Sequence, residues 1–132
     1  MAQFDHERLD AYQVAIDFVA LANDVVEHLP RGRAHLADQL QRASLSVPLN
    51  IAEGAGEFSP KDKKRFYRMA LRSATECSAI LDVCRRLDLA QAVVLSSGRD
   101  LLLRIVSMLT RLVLREEEPG TGTGTGTGTS QK

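Results

Sequence analysis

Two groups of residues have the types and the spacing to do chemistry. The first is polar. Arg42, Ser46 and Asn50 recur every fourth residue, with Glu53 just beyond, so on a helix they form one strip beside the apolar stripe. Counting outward from a turn centred near residue 57 sets Arg42 level with Arg72 and Ser73 and within reach of Glu76. Charge beside a core is costly when unpaired. Arg42, Ser46, Asn50, Glu53, Ser73 and Glu76 are therefore expected to form a structural polar network that fixes the register of two helices, with Arg42 and Glu76 as its ion pair. An active site on the same residues is the alternative.

The second group is basic. Lys61, Lys63, Lys64, Arg65, Arg68 and Arg72 are interrupted by one acid, Asp62. Within it Lys61, Lys64, Arg65, Arg68 and Arg72 step by three or four residues and share a helical face. Phe66 and Tyr67 are interleaved, and Tyr67 is placed to face solvent. Such a stripe suits the phosphates of RNA or DNA. The plainer alternative is a solvated face that also pairs with Glu53 and Glu57.

Other chemistry finds little support. Helix bundles that bind two metal ions use Glu-x-x-His pairs, and no Glu here has a His three residues later. His6, His28 and His35 stand singly near helix ends, so no metal site is expected. Gly54-x-Gly56 follows a helix and lacks a third glycine, which reads as a flexible turn and not a dinucleotide fingerprint. Ser44 and Ser46 are helix-interior serines, explained by packing or local hydrogen bonds. No phosphate loop and no nucleophile beside a histidine occurs, so no catalytic residue, no cofactor and no enzyme activity are expected.

The elements that must position these groups are all helical. Val14, Phe18, Leu21 and Val25 define a first helix over about residues 9–28, with Ala11, Ala15 and Ala22 widening its stripe and Asp10, Asp17 and Asp24 on its wet side. Pro30 and Gly32 end it. Leu36, Leu40, Ala43, Val47 and Ile51 define a second helix over about 34–53, kinked at Pro48 and capped by Gly54. Ser59, Pro60 and Asp62 are the start signal of a third helix reaching Leu87, with an inner face of Phe66, Met69, Ala70, Ser73, Cys77, Ile80, Cys84 and Leu87. A fourth, over about 91–116, carries Leu101, Leu102, Ile105, Met108, Leu109, Leu112 and Val113, with Ser97-Gly98 loosening its first turns. Short connections between long amphipathic helices predict an all-α, up-down-up-down four-helix bundle over residues 1–118. Residues 119–132, a Gly-Thr repeat with nothing apolar to bury, are expected to be a disordered tail.

Composition narrows the function classes. The 17 Lys and Arg balance the 17 Asp and Glu, so any charge-driven binding must come from local clustering. Cys77 and Cys84 are separated by about 10 Å of helix, beyond disulfide reach, and are expected to be reduced core residues. The first residues lack the layout of a secretory signal, and no apolar run is long enough to span a bilayer, so a cytoplasmic location without membrane contact is expected. The wide apolar stripes of the first and fourth helices leave surplus surface for a subunit interface, unless they only fill the monomer core.

The segment Leu40-Gln41-Arg42-Ala43-Ser44-x-Ser46-Val47-Pro48-x-Asn50-Ile51-Ala52-Glu53-Gly54, followed by Ser59, Arg65-Phe66, Ala70, Ser73 and Glu76, resembles the bacterial four-helix bundle protein family. Its members were first noticed within intervening sequences of large-subunit rRNA genes, and a relative is the accessory variability determinant of diversity-generating retroelements. The likeness extends over about residues 4–116, with Tyr12 where Trp is common. It implies a ring-like homopentamer whose basic surface, in the retroelement relatives, serves nucleic-acid and reverse-transcriptase binding. The family's motif positions fall on Arg42, Ser46, Asn50, Glu53, Ser73 and Glu76. The function expected is thus a non-enzymatic homo-oligomeric scaffold that binds RNA or DNA through the third helix. A protein-interaction module without nucleic-acid binding is the rival.

Overall fold

Each apolar stripe becomes one wall of a shared core in the computed structural model, which describes residues 2–117. A 3-10 turn at Asp5–Arg8 precedes α1 (Asp10–Glu27), α2 (Ala34–Gly56), α3 (Pro60–Arg86) and α4 (Ala92–Glu117), and no strand occurs among the described residues. Each helix packs on its neighbours in the chain, and α4 returns to α1, so the four stand at the corners of a square whose diagonal pairs do not approach at the backbone among the described residues. This is the up-down-up-down bundle expected from the short connections. The expected tail at 119–132 and the boundary at 118 lie outside the described residues.

The core is Val14, Phe18 and Val25 from α1, Leu40, Val47 and Ile51 from α2, Cys77, Ile80 and Leu81 from α3, and Leu102, Ile105 and Leu109 from α4. Ala11, Ala15 and Ala22 are buried as the widened stripe requires, and Asp10, Asp17 and Asp24 are exposed. The Ser59 hydroxyl accepts from the Asp62 backbone N–H at 3.1 Å, with Pro60 in the first turn, as that start signal demands. Cys77 and Cys84 are free and buried, and burial pushes the Cys77 thiol up to about 12. No described helix is long and apolar enough to cross a membrane.

Several local expectations are corrected. Gly54 does not end α2, which runs on through Gly56 to a cap at Glu57. Gly54 is instead buried where α2 meets α3, and a Cβ there would lie 2.7 Å from Cε1 of Tyr67. Tyr67 therefore does not face solvent: it is 3% exposed, and burial raises its hydroxyl pKa. The inner face of α3 is rotated accordingly to Tyr67, Ala70, Ala74, Cys77, Ile80, Leu81 and Cys84, leaving Met69 and Leu87 exposed. Ser97-Gly98 does not loosen α4, because Gly98 is buried against Leu21, Leu81 and Phe18. At the other end of the chain, the His6 ring sits against Phe4 and, edge-on at 4.5 Å, against Tyr12.

Candidate nucleic-acid interface

The basic residues of α3 lie opposite its buried face, but the bundle divides them. Lys64 Nζ approaches Glu117 Oε2 of α4 at 3.5 Å, and an Arg68 guanidinium nitrogen reaches the same oxygen at 2.7 Å. The expected pairing of this face with Glu53 and Glu57 does not form among the described residues, since the last turn of α4 supplies the carboxylate. Arg65 stacks over the Phe66 ring at 4.4 Å. Lys61 and Arg72 are exposed and make no ion pair among the described residues.

Lys63 is withdrawn from this face. Its ammonium donates to the backbone carbonyls of Gly54 and Ala55 at 3.3 and 3.0 Å. These carbonyls belong to the last turn of α2, where that of Gly54 also accepts from the Glu57 backbone N–H, and a cation there suits the helix dipole.

On the α2 side of the stripe lies the polar group. Asn50 Nδ2 donates to the Ser46 backbone carbonyl and to Ser46 Oγ, both at 2.9 Å. Ser73 Oγ donates to Ser46 Oγ across the helices at 2.9 Å. Ser46, Asn50 and Ser73 are thus brought together. Arg42 and Glu76 are not paired: Arg42 bonds Asp38 at 3.1 Å one turn back, with its side chain 78% exposed. Glu76 Oε2 instead accepts from Gln39 Nε2 at 2.9 Å. A same-helix partner one turn away requires less ordering of an exposed arginine than a partner across the groove. Glu53 is exposed and bonds to none of these groups.

Gln39, Asp38 and Glu117 were not anticipated. A signal for Gln39 existed, because counting from residue 57 places Glu76 opposite position 38, its neighbour in sequence. Ser44 bonds the Gln41 carbonyl at 3.2 Å, the local role expected of it. Among the described residues no three His, Cys, Asp or Glu side chains gather as a metal site.

The fold has solved relatives. A protein of unknown function from the S23 ribosomal protein family of Bacteroides thetaiotaomicron VPI-5482 superposes with a TM-score of 0.73 at 18% identity, over 78% of this chain and 97% of that one. At that identity the likeness speaks for the four-helix fold alone. No curated protein sequence matches the chain. Residues 7–111, spanning the polar strip, the basic stripe and most of α4, match the profile of 23S rRNA-intervening sequence proteins, and the chain belongs to that family.

Proposed function

We propose that this protein is a non-enzymatic, homo-oligomeric helical scaffold of the cytoplasm that binds RNA or DNA through the basic face of α3. The observation that carries this reading is the disposition of Lys61, Lys64, Arg65, Arg68 and Arg72 on the side of α3 away from its buried residues. Glu117 neutralises part of that charge, so Lys61, Arg65 and Arg72 are the cations most available to phosphate. Membership in a family tied to rRNA intervening sequences is consistent with a nucleic-acid partner.

Fluorescence anisotropy with labelled RNA and DNA across a salt series tests it. Affinity should fall with a log–log slope of roughly −0.7 to −0.9 for each phosphate contact, because each contact releases condensed counterions. Charge reversal at Arg65 and Arg72 to Glu should weaken binding alike for all sequences, with circular dichroism unchanged. Absence of binding at low salt, or full binding by the reversed protein, overturns the reading.

One observation favours the rival module that docks a protein. Leu45 and Leu49 stand one turn apart on the outer side of α2, and Phe58 follows at 99% exposure. Light scattering giving several times the 14.5 kDa chain mass would assign this ridge to further copies of the chain, consistent with a homo-oligomer. A monomer that ignores oligonucleotides would leave the ridge to a different protein, a reverse transcriptase among them.

A further inference from the structure

Two cavities of about 480 and 310 Å³ lie between α2 and α3 and share Ser46, Ser73 and Glu76, so they form one trench. Volumes of roughly 300–1,000 Å³ are those of small-ligand sites. The chemistry of the walls limits what fits. Ser46 Oγ already accepts from Asn50 and from Ser73, so its own proton is left to donate. The amide nitrogen of Asn50 is committed to Ser46, which leaves its carbonyl oxygen as an acceptor. Gln39 takes one acceptor site of Glu76 Oε2, so the carboxylate retains a second site on that oxygen and both on Oε1. Arg72 lines the trench with no ion pair among the described residues, and Met69 supplies an apolar wall.

A bare phosphate does not match these groups, because the Glu76 carboxylate would repel it. An apolar peptide does not match either, since Met69 and Ala43 are the only apolar residues in the lining. The occupant must offer N–H donors to a carboxylate and an acceptor to Ser46 or Arg72. Of the four RNA bases, guanine alone presents two adjacent donors, N1–H and the N2 amino group, with the O6 acceptor beside them. Cytosine and adenine present a ring-nitrogen acceptor next to their amino group, which would face the carboxylate. Uracil has one N–H between two carbonyls.

We propose that the α2–α3 trench is a base pocket for an unpaired guanine. In this arrangement the strand backbone follows the cations of α3 and Arg72 meets the phosphate at the trench mouth. Glu76 accepts from the Watson–Crick edge, and the base face lies on the Met69 thioether. The edge is free only in a single strand, which makes the ligand an unpaired segment and not a duplex. This rests on the nucleic-acid reading above.

The test compares a labelled oligouridine with the same oligomer carrying one central guanosine, adenosine, cytidine or inosine. The guanosine oligomer should bind about tenfold tighter than oligouridine, the discrimination of a good two-bond base contact. Inosine, which lacks only the N2 amino group, should lose most of that gain on the unmutated protein. Glu76→Gln should bring the guanosine and oligouridine affinities, both measured on that variant, to the same value, while the loss of a carboxylate beside Arg72 raises both. Equal affinities for all the oligomers, an inosine oligomer as tight as guanosine, or a preference that survives Glu76→Gln each overturn the pocket and leave the phosphate face standing. Failure to bind any oligomer at low salt overturns both.

Discussion

Gly98 on α4 and Gly54 on α2 each lie buried at a seam between helices, yet the two seams are built differently. Where α4 meets α1, with α3 alongside, a Cβ on Gly98 would meet the ends of the Leu21 side chain of α1 and the Leu81 side chain of α3 at 2.9 Å each, and Phe18 Cε1 at 3.6 Å. Among the described residues no side-chain hydrogen bond or ion pair joins α1 to α4. Where α2 meets α3, Gly54 faces the edge of the Tyr67 ring, and outside that contact run the Ser46–Ser73 and Gln39–Glu76 hydrogen bonds and the Lys63 cap. An apolar seam gains from burial but has few directional bonds to choose one register over the next. The α2–α3 seam has such bonds, and its outer edge is the trench.

The largest test of this contrast is Phe18→Ala, which empties the centre of the apolar seam. Phe18 is fully buried, so the change should cost about 3–5 kcal/mol in urea unfolding. A smaller loss would mean that α1 and α4 collapse around the gap.

The two glycines sharpen the comparison. Gly54→Ala drives a methyl against a rigid ring held in the core, with Phe66 Cβ a further 3.2 Å neighbour. Overpacking of this kind costs about 1–3 kcal/mol, partly offset by about 1 kcal/mol of helix propensity. Gly98→Ala presses on the ends of two leucine side chains, the part-buried Leu21, which can turn aside, and the buried Leu81, with the Phe18 ring at ordinary contact distance. Its net effect should lie within about 1 kcal/mol of zero by the same terms. Urea midpoints in the opposite order would reverse the view that the α2–α3 seam is the stiffer one.

The smallest effect expected is that of Ser73→Ala, about 1 kcal/mol for a hydrogen bond at a part-buried site. A double-mutant cycle with Ser46→Ala measures the coupling directly, and zero coupling would remove the serine pair as a register device.

These seams also explain what could be read from the sequence. Helix number, order and most core positions follow from the 3.6-residue period, and the α3 start follows from Ser59-Pro60, because both signals are local. The apolar spacing of α3 sets its inner face off by part of a turn. Phe66 and Tyr67 are adjacent aromatics, and the stripes that begin at each share Ala70, Cys77, Ile80 and Cys84. What places Tyr67 inside is the missing side chain at Gly54, a fact about another helix. Partners of exposed charges were harder still. Arg42 found Asp38 on its own helix, and Lys64 and Arg68 found Glu117, whose approach depends on the register between α3 and α4.

The square arrangement of the helices carries a kinetic consequence. Three of the four seams join consecutive helices through short turns, so their contacts form at low loop-closure entropy. The α1–α4 seam alone must bring together the two ends of the folded region. A chain dominated by local contacts is a fast folder, in the microsecond-to-millisecond range of helical bundles. Docking of α1 on α4 is the step that carries the longest closure, and mutations there should slow refolding more than equal losses of stability at the α2–α3 hairpin.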